Sequence, residues 1–581
     1  MVLIGSRCLA QPSGQGAPPV LVKIAAIPLA AGVEFAQYRL GQPLPLLVNE
    51  LRVDLSAPGV TVGVGQANGA VVTTGHWQGR QPLSTIVKRA GAIAGVNANF
   101  FPFTGMPIGL AIRNGEIYHD STGYRMCVGF DGAAVHIGAL VFRGLVSFDG
   151  GRSIAIGGIN RAPLPGETVL VTSASASPLK LPRDAQVIVL SEFDQPVQLG
   201  HTLTAKVEET DTAPAGTPIL PPPPTFATLI TLAGPAQPPT PPANGVSAAV
   251  TLGLYHPPPA ARGDLPSRGA APELAESWQR VATAVEGGPW LVRNGQISID
   301  ATAEHLAGGF TTGRHARTGI GVLPSGELIL VTVDDYAGIS IGATLPEFAA
   351  IMQQLGARNA VNMDGGGSTS MVVAGAVVNG PADGAERPLA DALVVYASPS
   401  SKGGSGNAIP TMKIVAASSS PTQVPAGTPT RLQLVDAQAG SPQSAGLLWG
   451  TADGDALITQ DGTITGVRSG PCTVVCRYQG AEYTQQINVM PGAPAELSGT
   501  MTPAPNNPPD RNEVVIALRD RYGNGIQNTA VQATVSGGQL LEPLQTDVHG
   551  KATAEVVWDA NPGSRSITLH STGVRDLSLH G

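Results

Sequence analysis

Residues 344–369 read TLPEFAAIMQQLGARNAVNMDGGGST and place a helix, a strand and a glycine-rich loop in direct succession. Thr344 and Glu347 have the spacing of a capping box, and apolar residues recur at helical spacing up to Leu355. The run NAVNMD then predicts a strand that ends at Asp364, immediately before three glycines. The surrounding domain is therefore expected to combine helices and sheets, with a specialised loop at the end of one strand.

A second helix-then-strand unit and three hairpins extend this picture. PLSTIVKRA, from residue 82, predicts a helix, and AIAGVNANFF, from residue 92, begins with a strand. Two-residue turns between apolar runs predict hairpins in GLAIRNGEIYH, PWLVRNGQISI and TSMVVAGAVVN, because the turn residues must adopt positive φ. We therefore expect an α+β domain with a mixed sheet and hairpins in the first 397 residues.

Composition shifts divide the chain further. The run SPSSKGGSGNAIP, residues 398–410, has no apolar period and reads as a linker. The proline-rich stretch at about 212–259 favours polyproline II or loop and is interpreted as a surface insertion. Beyond the linker, short β-branched runs between turn residues predict two all-β sandwiches. The expected order is an N-terminal segment with lead-in strands at 1–52, the α+β domain at 53–397, and sandwiches at 411–491 and 492–581.

Composition also excludes several functional classes. The 581 residues carry a formal net charge of -8 and show no basic cluster, so nucleic acid is not expected as a partner. No apolar run approaches the roughly 18 to 20 residues of a membrane-spanning helix. Four cysteines are too few for a disulfide framework. Cys472 and Cys476 lie on one predicted strand, about 13 Å apart at their α-carbons, and are expected to stay unpaired with each other.

The triple glycine after Asp364 predicts close approach of the backbone to a ligand. No Gly-Lys-Ser/Thr follows, as a Walker loop requires, and a hairpin follows where a dinucleotide fingerprint needs a helix. What remains is a row of backbone N–H groups with the hydroxyls of Ser368 and Thr369. Such a nest favours an anion.

Several motifs together resemble the phosphodiester glycosidase family. They are RHARTGIGVLPSGELILVTVDD, LPEFAAIMQQLGARNAVNMDGGGSTSMVVAGAVVN, AERPLADALVV, GVNANFF, GGINRAP and GGPWLVRNGQ, in family order between about Val53 and Tyr396. The resemblance implies a secreted or cell-surface hydrolase that cleaves the bond between a sugar's anomeric carbon and a phosphodiester. Carried over by position, the family's site residues would be Asn97, Arg317, Thr318, Asp334, Asp364, Gly365, Gly366, Gly367, Ser368 and Thr369, and Arg161 and Arg387 match bacterial members.

The chemistry of this reaction suggests roles for these groups. A phosphate leaving group is weakly basic, so the site must chiefly hold an anion and stabilise a positive sugar carbon. Arg317 is the expected phosphate clamp, and Asp364 or Asp334 the expected carboxylate. His315 is a further candidate as proton donor, and Glu286 as a reserve carboxylate.

Structural alternatives accompany these assignments. Asp364 could cap the glycine loop, Asn97 could satisfy a strand end, and Arg161 and Arg387 could pair with carboxylates. Departures from the family pattern at Ala316, Asp335 and Asp391 leave the substrate open. Apart from a divalent cation, which Asp334, Asp335 and Asp364 could gather, no cofactor is expected.

The C-terminal sequences resemble bacterial immunoglobulin-like domains, group 2 at 411–491 and group 1, invasin type, at 492–581. They are expected to act as spacers or anchors at a cell surface. A rival hypothesis is a non-catalytic surface or appendage protein that binds an anionic glycan, with the sandwiches used for adhesion or self-association. Retention of Asp364 and Arg317 favours the enzyme.

Overall fold

A computed structural model describes residues 20–72, 79–193, 197–235, 240–257, 273–306, 308–398, 411–416, 422–504, 510–560 and 563–580. The predicted linker at 398–410 lies outside these residues except for Ser398. The fold is mostly β, with many sheets. Among the helices in the described ranges, none is long and apolar enough to cross a membrane.

An eight-stranded sheet forms one side of the N-terminal region. Its strands follow one another in the order Val22–Ala30, Val33–Leu40, Leu46–Val53, Leu328–Val333, Arg317–Val322, Asn359–Asn362, Trp290–Arg293 and Gln296–Ile297. The three lead-in strands before residue 54 thus complete the sheet that carries the glycosidase motifs. The apolar face of the helix Leu345–Gln354 packs against this sheet, with Phe348 and Met352 fully buried.

Two further sheets enclose the central core. A five-stranded sheet has the order Glu116–His119, Ala111–Arg113, Thr283–Gly287, Met126–Asp131 and Ala134–Ala139. A nine-stranded sheet has the order Gln423–Pro425, Ala481–Met490, Gly470–Tyr478, Leu448–Thr451, Ala376–Val377, Met371–Val373, Ala94–Asn97, Asp391–Tyr396 and Thr61–Gln66. Apolar residues from these two sheets and the eight-stranded sheet form one buried cluster that includes Phe35, Val96, Val285 and Val361.

The polyproline II or loop conformation expected for about 212–259 is wrong for much of the described part of this stretch, which forms strands. Strands Ala227–Leu232 and Ser247–His256 belong to a second nine-stranded sheet with Arg152–Ile156, Val141–Phe148, Thr202–Ala213, Ala185–Ser191, Thr168–Val171, Gly158–Ile159 and Glu273–Leu274. Short strands Leu179–Lys180 and Pro218–Ile219 pair beside it. The described prolines at 221–224 and 241–242 lie between strands, where no ladder N–H is needed.

The local sequence signals were accurate. Helix α1 (Leu83–Ala90) precedes the strand Ala94–Asn97, α2 is the short Gly308–Thr312, and α3 (Leu345–Gln354) begins with the predicted Thr344–Glu347 capping box. All three hairpins form, and their turn residues have positive φ. Helices are nonetheless few, so the first 397 residues are mostly β and the α+β assignment is not confirmed.

The C-terminal residues form two β-sandwiches. In the first sandwich, whose strands lie between Met412 and Met490, the sheet Met412–Ala416, Thr430–Asp436, Thr463–Thr465 and Leu457–Ile458 packs on the C-terminal strands of the first nine-stranded sheet around Trp449. The second sandwich, whose strands lie between Pro494 and His580, packs the sheet Pro494–Pro503, Arg511–Asp520, Lys551–Trp558 and Gly538–Leu540 against the sheet Leu544–Gln545, Ala530–Ser536, Ser566–His570 and Leu577–His580. Cys472 and Cys476 are buried free thiols on one strand, as expected.

Candidate functional site

The strand register brings the ends of the predicted motifs together. Strand Arg317–Val322 pairs with both Leu328–Val333 and Asn359–Asn362, with Arg317 opposite Val333 and Gly319 opposite Asn362. Arg317, Asp334 and Asp364 therefore lie at one end of the eight-stranded sheet. Their side chains nevertheless point into different surroundings, and this difference separates their roles.

Asp364 lies in a pocket of about 520 Å³. The lining combines three arginines, three acidic residues, and aromatic and small groups: Arg80, Phe101, Pro102, Phe103, Asp364, Ser368, Asp383, Ala385, Glu386, Arg387, Pro388 and Arg468. Four other described pockets contain none of the predicted site residues. The arginine-rich pocket is therefore the candidate active site.

The carboxyl group of Asp364 is held by its own loop. One oxygen accepts from the N–H of Gly365 at 2.9 Å, and the Ser368 hydroxyl also bonds to the carboxyl group. Burial raises the pKa of Asp364 to about 6, although these hydrogen bonds and the charges of Arg387 and Arg125 oppose the rise. The group therefore caps the loop and also presents a carboxylate with a pKa close to neutrality to the pocket.

The predicted nest of free N–H groups is not present in the glycine loop. The Gly366 N–H donates to the carbonyl of Ala316 at 2.8 Å, and the N–H groups of Ser368 and Thr369 donate to carbonyls inside the loop, which forms a 3₁₀ turn. With the Gly365 N–H bonded to Asp364, four amides are already satisfied within the protein. The loop therefore orients side chains, and an anion must be bound mainly by the arginines.

Two of the glycines fit their positions for different reasons. Gly366 has a φ of +61°, which disfavours other residues. A Cβ on Gly367 would lie 2.0 Å from Nη2 of Arg387. Gly367 thus makes room for the guanidinium of Arg387, which bonds to Asp383 through Nε at 2.8 Å and to the Ser368 hydroxyl through Nη1 at 3.4 Å.

Arg317 does not occupy the predicted phosphate-clamping position. Its side chain is fully buried, outside the pocket lining, and donates to the carbonyls of Ala343 at 2.8 Å, Phe310 at 3.0 Å and Gly313 at 2.8 Å. Burial lowers its pKa to about 10. The Nε and Nη2 donors of the guanidinium therefore fix the chain around helix α2. Because the side chain also lies outside the pocket lining, the structure does not place Arg317 as the phosphate clamp.

Asp334 and His315 also lie outside the pocket lining. The Asp334 carboxyl accepts from Asn49 Nδ2 at 3.1 Å and from the Gly380 N–H at 2.8 Å, and burial raises its pKa to about 8. His315 is exposed, beside Asp335. Within the described ranges no group of three or more His, Cys, Asp or Glu residues could hold a metal ion. The structure therefore does not support a cation site formed by Asp334, Asp335 and Asp364.

Glu286 and Arg161 make internal contacts. Glu286 is fully buried, accepts from the N–H groups of Leu110 at 2.8 Å and Thr122 at 3.2 Å, and has its pKa raised to about 7 by burial. Arg161 pairs with Asp120 at 3.0 Å and Glu167 at 2.8 Å. Both residues lie outside the pocket lining. Glu286 is therefore not placed as a reserve catalytic group, and Arg161 pairs with carboxylates, which was the structural alternative.

Asn97, Thr318 and Thr369 form a buried network beneath Asp364. Thr318 donates to Asn97 Oδ1 at 2.7 Å and its oxygen lies 3.3 Å from the Thr369 hydroxyl, while Asn97 Nδ2 donates to the carbonyl of Asp364 at 2.7 Å. Asn97 Oδ1 also accepts from the Ser370 N–H at 3.1 Å. These motif residues therefore position the loop and make no contact with the pocket themselves.

Sequence reasoning missed Arg80, which lines the pocket together with Asp364. Arg80 lies over the rings of Phe101 and Phe103, 5.8 and 5.4 Å from their centroids. The charge of Arg387 and, more strongly, burial lower the pKa of Arg80, so the two arginines are close. Neither its sequence neighbourhood nor any motif marks Arg80, whereas the phenylalanines belong to the GVNANFF stretch and its immediate continuation.

Arg125, Asp391 and Glu304 extend the charged environment behind the pocket. The charge of Arg125 lowers the pKa of both Asp364 and Glu304, and its Nε and Nη1 atoms have no hydrogen-bond partner among the described residues. Burial and, to a smaller extent, the charge of Asp364 raise the pKa of Asp391 to about 7. The departure from the family pattern at Asp391 thus adds a second titratable carboxyl beside Asp364.

Comparisons with known proteins show which families and folds these motifs are similar to. Residues 260–396 match the model of the phosphodiester glycosidase family. Over 108 residues the chain is 33% identical to the SPbeta prophage-derived uncharacterized protein YomE of Bacillus subtilis (strain 168), covering 19% of this chain and 16% of that protein. Over 108 residues it is 35% identical to N-acetylglucosamine-1-phosphodiester alpha-N-acetylglucosaminidase of Mus musculus, covering 17% of this chain and 21% of that protein.

A similar fold is found in a crystal structure of a hypothetical protein from Synechocystis. The TM-score is 0.53 at 22% sequence identity, and the match covers 66% of this chain and 64% of that chain. The sequence matches to the two curated relatives, by contrast, span about a fifth or less of their lengths. The similarity therefore reaches family level for residues 260–396 and fold level for a larger part of the chain.

Proposed function

We propose that this protein hydrolyses the bond between the anomeric carbon of a sugar and a phosphodiester. The observation that carries the proposal is the joining of Asp364 with Arg80 and Arg387 in one pocket. A glycosyl phosphodiester needs this combination, because its leaving group is an anion and its reacting carbon becomes positive. The family match of residues 260–396 supports the same reaction.

In this reaction Arg387 and Arg80 bind the phosphodiester oxygens. As the bond from the anomeric carbon to oxygen breaks, its electron pair passes to the phosphate, whose growing charge the arginines stabilise. Asp364 faces the sugar carbon or orients the water that attacks it. The water supplies hydroxyl to the sugar, and its proton passes to Asp364, whose pKa of about 6 suits a base near neutral pH.

Asp391 modulates Asp364. One Asp391 oxygen accepts from the Asn99 N–H at 2.9 Å, and the other has no hydrogen-bond partner among the described residues. The charge of Asp364 adds to the effect of burial in raising the pKa of Asp391, so Asp391 favours its protonated form when Asp364 is ionised. The protein is proposed to act outside the cell or at its surface on this substrate class.

The test is incubation of the full chain with a panel of glycosyl 1-phosphodiesters, with free sugar and the released phosphomonoester as products. Asp364→Asn is the inactive control, because it retains the shape and removes the base. Release of both products by the wild-type chain, and not by the variant, supports the proposal. Binding of the panel without any turnover would overturn it and favour the glycan-binding hypothesis.

A further inference from the structure

The first sandwich reaches the candidate active site. Arg468 follows the strand Thr463–Thr465 of the first sandwich, yet lines the same pocket as Asp364, Ser368 and Arg387. The contact is close: a Cβ on Gly384 would lie 2.5 Å from Cδ of Arg468. Gly384 therefore makes room for the Arg468 stem on the loop that carries Arg387.

The two parts of the chain are joined firmly beside this contact. Val377 pairs with Thr451, so one sheet continues from the glycosidase motifs into the first sandwich. The buried Tyr336 hydroxyl donates to the carbonyl of Thr465 at 3.1 Å. The N–H of Gln460 donates to Gln37 at 2.8 Å, also in a buried position. This interface therefore fixes the position of the segment that carries Arg468.

The second sandwich braces the same segment. Asn524 Nδ2 donates to the carbonyl of Val467 at 2.8 Å, and its Oδ1 accepts from the Ser469 N–H at 2.8 Å. Asn524 thus bonds to both residues that flank Arg468. Its own N–H donates to Asp520 at 2.9 Å, which fixes the turn. The backbone of Arg468 is consequently held from both sides while its side chain stays exposed.

The charge of Arg468 is available to a ligand. Among the described residues it makes no ion pair, whereas the guanidinium of Arg387 is bonded to Asp383. Asp455 is near enough for Arg468 to lower its pKa, although burial and Asp453 raise it overall. An exposed guanidinium at a pocket that already holds two arginines favours an anionic group. A phosphodiester or an anionic leaving group meets this requirement.

We infer that Arg468 is a substrate-binding residue and that the first sandwich forms one wall of the active site. This inference rests on the proposed function. It corrects the expectation that the sandwiches serve only as spacers or anchors. Because Arg468 is exposed at the pocket wall, where solvent screens its charge, its loss should weaken binding of substrate and leave the chemical step nearly unchanged.

The experiment compares Arg468→Ala, Arg468→Lys and the control Arg431→Ala in the full chain. Arg431 lies on the same sandwich, is exposed, pairs with Asp461 at 3.4 Å and is not a pocket residue. We expect Arg468→Ala to raise KM about tenfold with little change in kcat, and to weaken inhibition by inorganic phosphate about equally. Lysine at 468 should restore part of the affinity, and the control should match the wild type.

Unchanged KM and phosphate inhibition in Arg468→Ala, with an active wild type, would overturn the inference and leave the proposed function intact. If the wild type hydrolyses none of the panel, the proposed function fails. Calorimetry with inorganic phosphate then decides the inference separately. Phosphate binding that is lost in Arg468→Ala and kept in Arg431→Ala supports an anion site shared with the sandwich. Equal binding, or none by any variant, overturns it.

Discussion

Replacement of Asp364 by Asn tests whether this carboxyl serves catalysis at a cost in stability. Burial raises its pKa to about 6, against about 3.9 for an ordinary aspartate. The folded protein therefore holds the proton more tightly than the unfolded chain. As pH rises from about 4 to about 6, ionisation of Asp364 lowers the free energy of unfolding, and the full loss is present above about pH 6.

The size of this effect follows from the shift. About two pKa units correspond to about 3 kcal/mol, and water in the open pocket screens part of this energy, so we expect about 1 to 3 kcal/mol. The asparagine still offers an oxygen to the Gly365 N–H. Asp364→Asn should therefore unfold at higher denaturant concentration than the wild type at pH 7 and match it near pH 4, while turnover falls about 10² to 10³-fold.

Urea denaturation at several pH values and initial-rate kinetics measure both effects. Asp54→Asn is a control of opposite sign, because the Ser56 hydroxyl and N–H lower the pKa of the exposed Asp54. Its replacement should lose a little stability at pH 7 and leave turnover unchanged. If Asp364→Asn is instead less stable than the wild type at pH 7, the residue acts mainly as a loop cap. If it keeps full activity, the catalytic assignment is wrong.

Three further substitutions test separate parts of the argument. Arg387→Ala should raise KM for a glycosyl phosphodiester about tenfold or more in steady-state kinetics, because a charged donor to the phosphate is lost; an unchanged KM would remove Arg387 from the site. Arg317→Ala should lower the free energy of unfolding by about 3 kcal/mol in urea titrations, since three carbonyls lose their donor. Wild-type stability with lost phosphate inhibition would restore its clamp role. Thr344→Ala should cost about 1 kcal/mol by the same titration, with no change in KM, through loss of the α3 cap.

Features decided by neighbouring residues were predictable from the sequence. The hairpin turns, including Asn114-Gly115 and Ala374-Gly375, adopt the positive φ values that the pattern requires. The capping box at Thr344 fixed the start of α3 for the same reason. In residues 212–259 the sequence interpretation gave the proline count more weight than the apolar β-branched run at 227–232, which forms a strand. Prolines between strands leave the ladders intact, so composition averaged over the stretch was misleading.

The direction of a side chain at a strand end depends on distant segments. Arg317 points toward carbonyls of Phe310 and Ala343, and its motif gives no indication of these partners. Arg80 lines the pocket because the folded chain brings it close to Phe103 and Arg387, both of which lie far from it or outside any shared motif in the sequence. The motif therefore pointed to the candidate site around Asp364, but it could not separate groups that line the pocket from groups that support them.

The division between these two classes has a physical basis. The carboxyl of Asp364 is held where burial opposes its ionisation. To keep it there, the loop must not move the carboxylate out into solvent. The Asn97, Thr318 and Thr369 hydrogen bonds hold that loop from below, so they belong in the motif although they never meet the substrate. Binding an anion requires only positive charge at the pocket rim, and arginines from different segments of the chain can supply it. Arg468, from the first sandwich, supplies it here from outside the 260–396 family match.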